Sequence, residues 1–528
     1  MPAPARAKAR HRRTMSCGSF AALALGVGLA AAGGHAVAWA DDGEANSSTT
    51  SSSHSTAGPS KPHTAGTAHR GGSATENSVA RQANSVPSRP TSARHVPITL
   101  HITPAAAPTP AAGTPTPSPG AVATSPRRLR ATTSAVAVIA STPTTTPNPP
   151  APLSPIAQRI ALPGHVVNTV LQALDMTAAA SGPQSPLDFA PIDQLLFTAF
   201  RRLEHVAGLD ATPTTQPIPP TLTYTGWAPG PTPTVAQFLN AAAAEYVLGG
   251  TPGGLRPFTV NGVPMTSTNV LSGESAQVWV TPENQIIIAY QGTTGGTNLL
   301  FNPLIAISQI VTDLQVLYTS TTPRAFTDAL RFQQRVQAAA MLQGYSTSDI
   351  FVTGHSLGGW EAEYVSQQTG LGGIGFESPG LNTAALQNGA NSGFVNIETY
   401  GDPAAYFCTD LPGLQPFMPA YVPGGGSKPH FGSIVMIGEP KAVYPLFNSS
   451  ALYGYGPIGD AIFMIDTLGN FFEHHLPGMQ AYNLDVDPDP TVVPWLGLPM
   501  GPVETGYGAL TIPGLLQAAS DAGTLIKP

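Results

Sequence analysis

The sequence predicts an α/β fold with a mostly parallel central sheet flanked by helices and a long disordered N-terminal region in front. Three observations carry this. From Val235 onward, short β-branched runs alternate with helical stretches, the order that lays strands side by side and covers the sheet with helices. One strand-to-helix junction, "DIFVTGHSLGGWEAEYVSQQ" (Asp349–Gln368), sets a serine among glycines. And up to Pro155 the chain is dominated by Ser, Thr, Pro, Ala and Gly, too little apolar surface to offset its conformational entropy.

Residues 1–40 read as an export signal. Arg10, Arg12 and Arg13 precede the short apolar run Phe20–Ala32, and Ala38-Trp39-Ala40 offers a small-x-small cleavage site. The apolar run is too short to span a bilayer. The expected localisation is therefore extracytoplasmic, secreted or in the cell envelope, by the Sec or twin-arginine route. Cleavage would leave Cys408 as the one cysteine, so no internal disulfide can form and the fold must rest on its core.

Residues 41–155 read as a disordered linker, with "STPTTTPNPPAP" as an example. Residues 156–210 turn helical: "HVVNTVLQALDM" and "PIDQLLFTAFRRLEHVAGL" repeat apolar residues every three or four positions. A Pro/Thr-rich linker (211–234) follows, and 235–528 is long enough for one large domain. Within it the expected order is a helix (Val235–Leu248) and the strands "AQVWVT" and "QIIIAYQGT". A long helix "RAFTDALRFQQRVQAAAMLQ" follows, then the strand "DIFVT", the serine turn and its helix. The strands "GGIGFES" and "FVNIETY" come last.

The formal net charge is −7 and only 10% of residues are charged, against roughly 25% in ordinary domains. No basic stripe with interleaved aromatics is present, so nucleic acid is excluded as a partner. No later apolar run reaches membrane-spanning length. "DVDPDP" (Asp485–Pro490) starts like a calcium loop, but Pro490 and Leu496 stand where Gly and Glu are needed; no metal or other cofactor is expected.

The glycine-flanked serine points to nucleophilic chemistry. In G-x-S-x-G between strand and helix, small neighbours let the turn tighten so that the serine oxygen projects above the sheet. Gly354, His355, Ser356 and Gly358 supply that elbow, and the Leu357 N–H points to where an oxyanion would form. A serine needs a base and an acid, in the order Ser, Asp, His. Asp402, just after "FVNIETY", is the first choice for the acid, with Asp410 and Asp466 as rivals. Order alone admits His430, His474 and His475 as the base.

At this point five elements together resemble the class 3 (fungal-lipase-like) triacylglycerol lipases of the α/β-hydrolase superfamily, in the form of a secreted bacterial member. They are "IIIAYQGTT", "VTGHSLGG", "GFESPGL", "YGDPAAY" and "KPHFGSIVMIG", within roughly Val235–Tyr482. The resemblance implies that Thr293 is an oxyanion-hole residue working with Leu357, that His430 is non-catalytic and that Asp313 is structural. "HHLPGMQAY" fits the family best with His474 as the base, His475 being the close alternative. It also implies a lid in "TGGTNLLFNPLIAISQIV". Gln291 replaces the family's usual arginine.

The expected function is a secreted serine carboxylester hydrolase, a lipase or esterase acting on acyl-lipid or other esters, with transient contact at lipid interfaces. Alternatives are a cutinase-like, phospholipase or envelope-lipid esterase, and, from another class, a non-catalytic surface binding protein on a Pro/Thr stalk.

Overall fold

The computed structural model describes residues 152–173, 186–187, 190–214, 218–226, 230–247, 251–293, 303–383, 386–390, 392–414, 428–487 and 501–526. The expected linker before Pro152, and residues 294–302 of the expected lid, lie outside them.

Helices α1 (Pro155–Ala173) and α2 (Ala190–Ala207) lie in the stretch read as helical from its periodicity. Helix α3 (Val235–Ala244) starts where Thr234 and Gln237 form a reciprocal capping box. Short strands come first: β1 (Arg256–Pro257) and β4 (Thr266–Thr268) join the main sheet, while β2 (Thr259–Val260) and β3 (Val263–Pro264) pair with each other in a separate two-stranded ribbon. Strands β5 (Ser275–Val280) and β6 (Ile286–Tyr290) form an antiparallel hairpin whose turn uses Asn284 at φ 61°. Helices α4 (Pro303–Tyr318) and α5 (Arg324–Leu342) lead to β7 (Ile350–His355) and α6 (Leu357–Thr369). Gly370 ends α6 in the left-handed region at φ 76°.

Strands β8 (Gly373–Phe376), β9 (Phe394–Thr399) and β10 (Ser433–Ile437) follow. Next come helices α7 (Val443–Ser450), α8 (Pro457–His474), α9 (Pro477–Asn483) and α10 (Ile512–Ala522), and the edge strand β11 (Leu525–Ile526). Among the described residues the main sheet runs β1-β5-β6-β7-β8-β9-β10-β11, with β4 also on β5. From β6 to β10 every pairing is parallel; β5 and β11 pair antiparallel at either side. The result is a mixed, mostly parallel sheet flanked by helices, in agreement with the α/β expectation.

Both faces of the sheet are buried, which is why its strands read as apolar runs rather than alternations. Ile286, Ile288 and Tyr290 point to one core with Phe326 and Phe332 of α5 and Trp360 and Val365 of α6. Ile287 and Ala289 point to the other, with Phe238 and Leu239 of α3 and Leu515 and Leu516 of α10. The strand period of two sorts one sequence into two cores. No helix among the described residues is long and apolar enough to cross a membrane.

Although a Pro/Thr-rich run separates them in sequence, α2 is seated on α8. Arg201 of α2 contacts Glu473 at 2.9 Å, and Asn470 of α8 donates to Glu204 at 3.1 Å. The Pro/Thr run itself borders the sheet: the Leu222 N–H donates to the Leu525 carbonyl, and Thr221 bridges Ile526.

Candidate active site

Ser356 occupies the junction of β7 and α6 with φ 59° and ψ −125°, a region that non-glycine residues seldom enter. The turn around it is held tight. A methyl group on Gly354 would land on the Gly358 carbonyl, and one on Gly358 would land on the Tyr290 carbonyl. Elbow and strand β6 therefore touch backbone to backbone, which only glycine allows. The Ser356 N–H is fixed by the Phe376 carbonyl at 2.9 Å, and its side chain is half-buried. The strain at this one serine is maintained by its neighbours.

Asp402 sits beyond the end of β9 and is fully buried. Its Oδ2 accepts from His475 Nδ1 at 2.8 Å and its Oδ1 accepts from the Ala404 N–H at 3.0 Å. Burial alone would raise this carboxyl. His475, its hydrogen bond, and those from Glu377 and Ala404 outweigh burial and hold it below the usual range.

The histidine favoured by the resemblance is not the one the structure brings to Asp402. His474, the last residue of α8, turns its Nε2 to Arg201 at 3.2 Å. Burial, reinforced by that guanidinium, pushes its pKa down to about 3, so it is neutral and occupied. The reason is helical geometry: consecutive residues on a helix point about 100° apart, so only one of the pair can face Asp402. His475 is that one. Its ring stacks on Phe471, four residues earlier, at 4.2 Å, and among the described residues its Nε2 has no hydrogen-bond partner.

His430, the remaining candidate base, is fully engaged. His430 pairs through Nδ1 with Asp410 at 2.9 Å and through Nε2 with the Ser378 carbonyl at 2.7 Å, and none of it is exposed. Burial opposes its charge, but Asp410 and Glu363 overcome that and raise its pKa. Asp410 is thereby committed to His430, and Asp466 accepts from the Ser449 hydroxyl at 2.6 Å. Cys408, Asp410 and His430 lie close enough together to resemble a metal cluster, but these hydrogen bonds already use the histidine's two ring nitrogens.

His355 ties the elbow to the Asp402–His475 pair. Its Nδ1 lies 2.7 Å from the Tyr246 hydroxyl and its Nε2 2.6 Å from the His475 carbonyl. Burial, aided by His475, lowers its pKa to about 3. The neutral ring thus donates from Nε2 to the carbonyl and accepts from Tyr246 at Nδ1, a tautomer the two partners impose. The residue next to Ser356 in the chain holds the backbone of His475 in place. Sequence reasoning placed His355 in the elbow but gave it no partner, and Tyr246 and Arg201 sit in no recognisable motif.

Thr293 follows β6, and its Oγ1 donates to Asp313 Oδ2 at 2.8 Å. Burial pushes Asp313 up to about 7 against the opposing pull of that bond. Leu357 is the first residue of α6, so its N–H has no partner within the helix. The two stand on touching segments, since a methyl on Gly292 would meet the His355 carbonyl and the Tyr246 ring.

Fold and site together define an α/β protein with a serine at a strained strand-to-helix turn, linked through its neighbouring histidine to a buried aspartate–histidine pair. No family model matches the chain, and no curated protein does. Among solved structures it is similar in part to the extracellular lipase LipA from Serratia marcescens. That likeness has 20% sequence identity, covers 29% of this chain and 28% of that chain, and has a TM-score of 0.23. The match spans less than a third of that lipase's length.

Proposed function

We propose that this protein is an exported serine carboxylester hydrolase, a lipase or esterase, with Ser356 as nucleophile, His475 as base and Asp402 as the orienting acid. One observation carries the reading. The serine with left-handed backbone and the histidine paired to a buried aspartate are tied together by the His355 bond to the His475 carbonyl. In this mechanism His475 Nε2 removes the Ser356 proton as the oxygen attacks the ester carbonyl. Asp402 stays ionised and stabilises the imidazolium, which returns the proton to the leaving alcohol. Water, activated in the same way, then releases the acid. Thr293 and the Leu357 N–H are assigned to the oxyanion.

The choice of an acyl-lipid ester rests on the surroundings. Helix α4 exposes Leu304, Ile307 and Val311 at three- and four-residue spacing, an apolar stripe suited to a fatty chain or a lipid surface. The reading of residues 1–40 as an export signal, followed by a Pro/Thr-rich stretch, supports an activity outside the cytoplasm, secreted or in the envelope. Hydrolysis of p-nitrophenyl esters of increasing chain length by the wild type and by Ser356→Ala tests the reading. Ser356-dependent release supports it. Equal rates for both proteins, or no release with retained lipid binding, would replace it with a binding role.

A further inference from the structure

Behind Asp402 the interior holds two more carboxyl groups, Glu377 and Glu398, neither of them exposed. Glu377 follows β8 directly and has φ 50°, an unusual backbone for a residue with a side chain. Its N–H is anchored on the Ile397 carbonyl at 3.0 Å. Its carboxyl receives the Thr399 N–H at 3.0 and 3.1 Å as well as the Thr399 hydroxyl, and Asp402 is its carboxyl neighbour. This backbone and the Thr399 bonds hold the side chain within the buried cluster that contains Asp402.

Two carboxyl groups can hydrogen-bond each other only with a proton between them, because an ionised carboxylate accepts and never donates. The environment decides which one carries it. Asp402 meets His475 Nδ1 and the Ala404 N–H, both of which favour its ionised form. Glu377 accepts from Thr399, which favours its ionised form, but the Asp402 charge beside it opposes this, with Glu398 nearby and Glu363 and His430 beyond. Of these, His430 is the cation, 3.7 Å from Glu398 and committed to Asp410.

We propose that Glu377 is a positioning residue for the triad: as a neutral carboxylic acid it donates a hydrogen bond to Asp402 and so fixes the carboxylate that orients His475. This rests on the ester-hydrolase reading for its catalytic consequence. Burial first, and then the Asp402 charge, drive Glu377 well above the usual carboxylate range, in keeping with a neutral acid. No proton leaves Glu377 during turnover. The serine proton passes to His475 and on to the leaving group, and Asp402 remains the anion throughout.

Glutamine at this position keeps a donor without the acid's ionisation; alanine removes the donor. The full-length chain and its Glu377→Gln and Glu377→Ala variants are compared in two ways. One is the acid limb of the pH profile for kcat/KM, which reports the base in the free enzyme. The other is the NMR titration of His475 in histidine-labelled protein.

Glu377→Gln is expected to keep kcat within about threefold of wild type and the His475 titration within about 0.3 pH unit. Glu377→Ala is expected to lower kcat by roughly 10- to 100-fold at little change in KM. It should also raise the His475 titration, because Asp402 without its donor is a stronger acceptor. A fall of about one pH unit or more in Glu377→Gln would mean that a negative charge had been removed, and would overturn the neutral-acid assignment. An unchanged kcat and titration in Glu377→Ala would overturn the positioning role. If the alanine variant does not fold, the glutamine titration alone decides between acid and anion. If the wild type shows no Ser356-dependent hydrolysis, the ester-hydrolase reading fails, while the His475 titrations still decide the link to Asp402.

Discussion

His475 Nδ1 donates to Asp402 Oδ2 at 2.8 Å, while His474, its neighbour in the chain, turns its Nε2 to Arg201 at 3.2 Å. The two adjacent imidazoles are thereby given different work. His475→Ala is expected to lower turnover by several orders of magnitude, as the loss of a base does. His474→Ala should cost less than about tenfold, since it removes packing around the base rather than the base. Steady-state rates with a p-nitrophenyl ester separate the two; a dead His474→Ala beside an active His475→Ala would reverse the assignment.

Ser356→Ala should lose at least about a thousandfold in kcat with unchanged circular dichroism and a melting temperature at or above wild type. The serine backbone sits at φ 59°, and its side chain fills no core space, so the substitution leaves packing intact. Labelling by a fluorophosphonate should disappear with it.

Gly358→Ala should destabilise the protein by about 1–3 kcal/mol and impair activity in proportion. The added methyl meets the Tyr290 carbonyl, and backbone cannot rotate away as a side chain can. Denaturant unfolding measures the loss. A variant as stable and active as wild type would show that the elbow is looser than this contact allows.

Asp313 gives a pH-dependent prediction. Its folded pKa, about 7, lies above the ordinary aspartate value of 3.8, so between those values the folded state holds a proton that the unfolded state has released. The stability this contributes is complete below the unfolded pKa and is lost as pH rises through the folded one. Asn is the neutral counterpart of the protonated acid. Relative to wild type, Asp313→Asn should therefore gain melting temperature between pH 5 and pH 8. A constant difference across that range would mean that Asp313 does not titrate there.

Arg201→Ala should cost about 1.5–3 kcal/mol, because it strips a charged partner from buried Glu473. It should also weaken the seat of α2 on α8. Hydrogen exchange at amides of Ala190–Ala207 and Pro457–His474, faster in the variant than in wild type, is the readout.

The fold class and the elbow could be read directly from the chain. Apolar runs of strand length alternating with helices imply a parallel sheet covered on both faces, and glycine at 354 and 358 around Ser356 implies a turn too tight for any other residue. These are local facts, fixed by steric limits within a few residues. Asp402 was legible too, because a carboxylate just past a strand falls at the sheet's carboxyl edge.

The partner of that aspartate was not legible. His474 and His475 are 72 and 73 residues further on, and their side chains diverge according to where α8 ends and how it is rotated against the sheet. That rotation is set by contacts distant in sequence: Arg201 on Glu473, Asn470 on Glu204, and His355 on the His475 carbonyl. Glu377 was likewise invisible as more than a residue of a strand-end loop, since its proton depends on burial beside Asp402 and Glu398. Sequence alone determined the elements and the tight turn at Ser356, because these follow from backbone sterics and local periodicity. Tertiary structure decided which histidine meets the aspartate and which carboxyls are buried beside it, because direction and dielectric surroundings come only from packing.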